Sequence, residues 1–163
     1  ADLTELSRTG VTVVCAGPKA LLDVPKTLEY LETLGVPVLT AGRARFPDFW
    51  SRDSGLAAPI RLDEPAAIAT FIRARGALGL PGGVLVANPI PEESEIPASE
   101  IRPAIEAALV EAGKAGIKGK DVTPFLLDAI LKQTGGRSLT ANIALIKNNA
   151  RLAARIAVAL AST

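Results

Sequence analysis

The sequence has no histidine, no methionine, one cysteine and one tryptophan, and each scarcity excludes something. Without histidine, the commonest metal ligand and the commonest general base are missing. Ser-His-Asp and Cys-His nucleophile machinery and histidine-based zinc sites are therefore excluded from this chain alone. The single cysteine, Cys15, can close no intrachain disulfide. Charge of one sign is missing too. Eighteen Lys and Arg against seventeen Asp and Glu leave a net charge of +1, so there is no polybasic stripe and a nucleic-acid duplex is not an expected partner. No apolar run reaches the roughly 18 residues that cross a bilayer. The first six residues show neither the basic nor the apolar region of a secretory signal. These absences predict a soluble, cytoplasmic protein without a membrane partner. The missing Met means that Ala1 either follows a removed Met or begins part of a longer polypeptide.

What remains is 163 residues, 48% hydrophobic and 21% charged, the composition and size of a globular single domain. Mean hydropathy is +0.31, high for a chain with six aromatics, because Ala, Val, Leu and Ile carry the apolar content. Such a surface is expected to meet other protein.

Val11 to Ala16 is a β-branched apolar run between two glycines, too short for a helix and continuous enough for a strand covered on both faces. Leucines at 21, 22, 28, 31 and 34 predict a helix over 20–34, stopped by Gly35. Val36 to Leu39 restarts as a strand, and the strand, helix, strand order favours parallel pairing. Ile60 to Leu62 is a third strand. A helix follows to about Arg75, with Asp63 as its cap and Pro65 in its first turn. Val84 to Ala87 is another two-sided strand, and the acidic stretch 92–95 reads as a solvated loop. Helices are predicted over about 99–115, 125–134 and 140–161, the last apolar on most of its circumference. The class is α/β, with a parallel or mixed sheet between helices.

With histidine gone, Lys, Asp, Glu and Asn are the candidate chemists, and any metal must sit on oxygen ligands. Lys19 follows a buried strand and a Gly-Pro turn, and ligand sites of open α/β sheets lie beyond the carboxyl ends of strands. A lysine partly desolvated there is a potential nucleophile; the alternative is a surface loop lysine. Asp2 and Glu5 are carboxylates that either start a helix or anchor a hydrated hard cation. Residues 135–142 are a Gly-rich turn entering a helix, which suits an anion or a carbonyl, or else a helix stop followed by a cap at Ser138 or Thr140. Asn142 lies in the first turn of that helix, where a side chain can face a ligand. Asn148 and Asn149 sit in an apolar helix and require partners. Arg61, Arg73 and Arg75 read as solvated or ion-paired.

Taken in chain order, several segments closely resemble the pseudouridine-5'-phosphate glycosidase family, also called indigoidine synthase A-like. They are Asp2-Leu3-Thr4-Glu5-Leu6, Val14 to Lys19 with Leu22-Asp23, residues 27–33, Gly82 to Pro91, Thr123 to Leu127, and 134–136 through Asn142 to Leu145. The resemblance spans nearly the whole chain and implies that residues 1–163 are the carboxyl-terminal part of a single family domain, a homotrimeric three-layer α/β/α protein. It implies reversible cleavage of the C–C glycosidic bond of pseudouridine 5'-phosphate to uracil and ribose 5-phosphate, with a divalent ion, usually manganese. Residue by residue, it places Lys19 on the Schiff-base lysine, Asp2 on the metal-binding aspartate and Asn142 on an active-site asparagine. The proton-transferring glutamate, a second lysine and further phosphate contacts would come from an amino-terminal part of the same protein. The loop Thr40-Ala41-Gly42-Arg43-Ala44-Arg45 and Trp50 depart from the family's usual residues, where an aglycone contact is expected. Alternatives are a C-glycosynthase that joins ribose 5-phosphate to an aromatic aglycone, and a non-catalytic binding homologue.

Overall fold

The computed structural model describes residues 2–19 and 22–162. The elements are α1 (Asp2–Leu6), β1 (Thr12–Cys15), α2 (Val24–Thr33), β2 (Val38–Ala41), β3 (Ile60–Leu62), α3 (Pro65–Ala77), β4 (Val84–Ala87), α4 (Ala98–Lys114), α5 (Val122–Gln133) and α6 (Arg137–Ala161). The four strands form one sheet in the order β1-β4-β2-β3, and every pair is parallel.

Strand alternation explains the layers. Successive side chains of β4 point to opposite faces. Leu85 and Ala87 pack with Leu6 of α1, Val24 and Leu31 of α2 and Val38 of β2. Val84 and Val86 pack on the other face with Leu39 of β2, Ile68 of α3 and Ile156 of α6. The sheet thus lies between two helical layers, as the two-sided apolar run of β4 predicts; β1, expected to be covered on both faces as well, is only half-buried and leaves Val13 36% exposed. A third cluster joins Ala16 and Ile90, just past the ends of β1 and β4, to Trp50 and to buried residues of α4, α5 and α6. It sits at the carboxyl-terminal end of the sheet, where a ligand site is expected.

Several element ends differ from the sequence reading. Residues 20 and 21 of the expected first helix lie outside the described residues. α2 begins at Val24 because the Asp23 side chain accepts a hydrogen bond from the Lys26 backbone N–H and so caps it. Asp63 does not cap α3. Its carboxylate is engaged by Arg61 at 2.6 Å, and Glu64 stands at the cap without a side-chain bond. α5 starts three residues early, with Pro124 in its first turn, where a missing N–H costs nothing. The acidic stretch is not a free loop. Glu92–Ser94 form a 3-10 turn, and Glu95 accepts from the Arg52 backbone N–H at 2.8 Å.

The asparagines of α6 have structural partners. Asn149 Oδ1 accepts from buried Asn88 at 3.1 Å, and Asn148 donates to the Pro89 carbonyl at 3.0 Å. Together they fasten α6 to the loop leaving β4. Asn149→Ala strips Asn88 of its partner, and an orphaned buried amide costs about 1–3 kcal/mol. Urea unfolding should show that loss, with the exposed Lys147→Ala as a neutral control; equal midpoints for both variants would contradict the role.

Candidate active site

The segment after β1 is fastened from several sides. The Cys15 carbonyl accepts from the Asn88 N–H at 2.7 Å, the Ala16 carbonyl from the Phe49 N–H at 2.9 Å, and the Lys19 carbonyl from the Leu22 N–H at 2.8 Å. Gly17 turns the chain at φ 95°, so close to the 46–51 loop that a Cβ there would stand 2.5 Å from the Pro47 carbonyl oxygen. Only glycine satisfies both the angle and the approach.

This turn delivers Lys19 to a cavity of about 460 Å³, within the range of small-molecule sites. Asp2, Leu3 and Leu6 of α1, Val13 and Cys15 of β1, Leu85 of β4, Thr27 of α2 and Thr123 of α5 line it. Lys19 and Asp2, expected as site residues, therefore share one cavity. Both are exposed, so the described residues do not supply the desolvation of Lys19 that the sequence reading expects. Burial pushes the Cys15 thiol up from its ordinary value, against a smaller opposing effect of the Gly17 backbone hydrogen bond. Cys15 is thus a neutral wall.

Asn142 is not in this cavity. It lines a separate one of about 240 Å³ with Trp50, Leu127, Asp128, Leu131, Ser138 and Leu139. The two cavities border the same face of α5: Thr123 faces the first, and Leu127, one turn later, faces the second. Trp50 is buried, donates its indole N–H to the Ser138 carbonyl at 3.1 Å and packs edge-on against Phe49. The unusual aromatic thus serves the core and walls the Asn142 cavity. Thr123 is the residue that sequence reasoning left without a role. No local pattern marks it, since only the packing of α5 across the carboxyl-terminal end of the sheet brings it beside Lys19.

The Gly-rich turn is not an anion site. Gly136 itself caps α6 at φ 88°, and the N–H groups that follow are taken: Ser138 N–H by Thr134 Oγ1 at 3.2 Å, Leu139 and Thr140 N–H by the Gly136 carbonyl. Ser138 and Thr140 lie inside the helix rather than at its cap. Of the arginines, Arg61 is ion-paired to Asp63. Arg73 and Arg75 bond the carbonyls of Ala159 and Pro81.

Asp48, in the 46–51 loop, is half-buried, with Oδ1 unpartnered among the described residues. Burial raises its carboxyl above the ordinary range, against an opposing pull from Arg102.

The described residues contain no group of three or more His, Cys, Asp or Glu placed to hold a metal ion. Among the described residues, Asp2 is the one carboxylate on the wall of the Lys19 cavity. That donor set does not fit a protein-built cage. It fits a hard cation that keeps most of its water, as magnesium-like ions do when held by one carboxylate and substrate phosphate.

The family profile described as indigoidine synthase A like protein matches residues 1–159. A pseudouridine-5'-phosphate glycosidase of Methylobacterium nodulans is 65% identical over 160 residues, covering 98% of this chain and 48% of that protein. One from Paracoccus denitrificans is 63% identical over 162 residues, covering 99% and 53%. The chain thus spans about half the length of the curated relatives it matches. Among solved structures, the prealnumycin C-glycosynthase AlnA in complex with ribulose 5-phosphate superposes with a TM-score of 0.91 at 33% identity, over 99% of this chain and 53% of that one. An indigoidine synthase A-like protein from Thermotoga maritima gives 0.88 at 40% identity, over 98% and 52%.

Proposed function

The chain belongs to the indigoidine synthase A-like protein family, and from that premise we propose that it carries the lysine-bearing half of a pseudouridine-5'-phosphate glycosidase. The observation that carries the proposal is the joint placement of Lys19 and Asp2 in one cavity past the carboxyl end of β1, in a chain 65% and 63% identical to two proteins of that name.

A C-glycoside offers no heteroatom leaving group to protonate, so the two-carboxylate route of ordinary glycosidases is poorly suited. An amine solves the problem. The Lys19 nitrogen bonds to the anomeric carbon as the ring C–O bond breaks, and the ring oxygen takes a proton. A proton delivered to the base carbon then lets the nitrogen lone pair expel uracil, leaving an iminium on Lys19. Water hydrolyses the iminium to ribose 5-phosphate and restores the amine. The proton donor and further phosphate contacts are assigned to the half of the relatives' length outside the match. The Thr123 hydroxyl, on the wall of the same cavity, is available to the sugar. Asn142 is a substrate-binding residue only if the substrate reaches along α5 past Leu127.

Asp2 is assigned as anchor of a hydrated divalent ion, manganese, whose chemistry would be to neutralise phosphate charge. Asp2→Asn in the assembled enzyme should weaken Mn²⁺ binding, read from the spectrum of the free aquo ion, by about tenfold or more. Unchanged binding would remove Asp2 from the metal site. The family resemblance further supports a cytoplasmic homotrimer. Among the described residues no helix is long and apolar enough to cross a membrane.

The reverse direction is the second reading, favoured by the likeness to AlnA, with an aromatic aglycone in place of uracil. Higher identity to the glycosidases places the cleavage reading first. The test is release of uracil from pseudouridine 5'-phosphate by the chain assembled with the remaining half. Absence of release, with condensation of ribose 5-phosphate onto an aromatic aglycone, would transfer the assignment to the second reading.

A further inference from the structure

The wall of the Lys19 cavity is mostly apolar. Among the described residues, the side chains on it that can make a hydrogen bond are those of Asp2, Cys15, Lys19, Thr27 and Thr123. Four of these are assigned or occupied. Lys19 and Asp2 carry the amine and the ion of the functional reading. The Cys15 thiol stays neutral in its buried place, and a neutral thiol is a weak partner. Thr27 donates its hydroxyl to the Asp23 carbonyl at 2.8 Å.

Thr123 differs from the other threonines of the helices beside it. Within α2 and α3 each threonine returns its hydroxyl to the carbonyl one turn back, Thr27 to Asp23, Thr33 to Glu29 and Thr70 to Ala66, at 2.8 to 2.9 Å. That back-bond is what a threonine inside a helix commonly makes. Thr123, the second residue of α5, makes none. Among the described residues its hydroxyl has no partner, and it stands half-buried on the cavity wall. It is therefore the uncommitted neutral donor and acceptor of this wall, in the space where the sugar must lie.

We propose that Thr123 is a specificity-determining residue that hydrogen-bonds the 2-hydroxyl of the sugar, so that the site takes sugar phosphates carrying that hydroxyl in preference to their 2-deoxy counterparts. This rests on the functional reading above. The choice of hydroxyl follows from connectivity. Once the Lys19 nitrogen is bonded to C1, the oxygen on C2 stays beside that nitrogen whatever the torsions of the opened chain, whereas the oxygens on C3 and C4 swing with them. A group that shares a wall with the lysine thus meets the 2-hydroxyl most dependably. Both hydroxyls can donate and accept, so the pair forms in either sense and no charge is buried. A neutral hydrogen bond at a half-exposed site sets the preference at about three- to tenfold, well below what a fully enclosed hydroxyl reader attains.

The probes are ribose 5-phosphate and 2-deoxyribose 5-phosphate, each captured on Lys19 of the full-length enzyme with borohydride and compared by the rate of capture at low sugar concentration. The two sugars differ in open-chain aldehyde content, so the ratio of rates is referred to the same ratio for Nα-acetyl-lysine. The unmodified enzyme should favour ribose 5-phosphate by about three- to tenfold over that reference. Thr123→Val keeps the branched shape and removes the hydroxyl. It should bring the ratio to the reference by slowing capture of ribose 5-phosphate alone, and Thr123→Ser should keep the preference. A ratio in the unmodified enzyme equal to the reference overturns the proposal even if the valine variant misfolds. An unchanged ratio in Thr123→Val overturns it too, as does equal slowing of both sugars, which is the mark of a structural role. Capture of neither sugar at Lys19 counts against the functional reading and takes this inference with it; capture of both, indifferent to Thr123, counts against this inference alone.

Discussion

Lys19→Ala is expected to abolish covalent capture of ribose 5-phosphate. In the synthetic direction the open-chain sugar phosphate presents an aldehyde, which condenses with an amine by loss of water, and borohydride reduces the resulting imine to a stable secondary amine. The assembled enzyme so treated should gain one reduced sugar phosphate, located at residue 19 by peptide mass. The variant should gain none, and its release of uracil should fall by about 10⁴-fold or more, since removing a nucleophile forfeits the whole covalent route. The lysine is held by its neighbours rather than by an ion pair: among the described residues it meets no carboxylate within salt-bridge distance, while its own carbonyl and those of Cys15 and Ala16 are bonded. The substitution therefore removes chemistry without removing a structural contact. Adduct formation that persists in Lys19→Ala would reassign the nucleophile, and Lys147→Ala, an exposed lysine on α6, serves as the control that should change nothing.

How much of this was legible in the sequence varies with the range of the interaction involved. The layers were legible because strands such as Val84–Ala87 are apolar at every position, which only a sheet covered on both faces explains. The placement of Lys19 past the end of β1 was legible because the strand and the Gly-Pro turn that deliver it are its immediate neighbours. Helix starts were less so. Ser138 and Thr140 are good cap formers, yet Gly136 takes the cap, because the Thr134 hydroxyl one turn earlier is already placed to satisfy the Ser138 N–H. Asp63 had the right residue type for a cap, but the better partner was Arg61, two residues behind it on an exposed strand. The cavity walls were least legible. Thr123 beside Lys19, and Asn142 apart from it, are set by how α5 lies across the end of the sheet, a long-range consequence of the cluster around Trp50 and Ile130.

Gly17→Ala is expected to be the most costly small substitution near the site, and its two causes are separable. The backbone there adopts φ 95°, which a Cβ makes unfavourable by about 1–3 kcal/mol. The new methyl would also stand 2.5 Å from the Pro47 carbonyl oxygen, a backbone atom with no rotamer to swing away, and forced overpacking adds about 1–3 kcal/mol. A total of about 2–6 kcal/mol is a large part of the roughly 5–15 kcal/mol that holds a domain together. Gly116→Ala isolates the first cause, because Gly116 has φ 66° and nothing within 4 Å of its would-be Cβ. Urea unfolding should place Gly17→Ala clearly below Gly116→Ala. Folded Gly17→Ala protein, recovered at low temperature, should also trap less ribose 5-phosphate, since relieving the clash means parting the Gly17 turn from the 46–51 loop and displacing Lys19. Equal stability losses in the two variants would show that the approach to Pro47 is slack, and full trapping in Gly17→Ala would show that the turn does not set the position of the lysine.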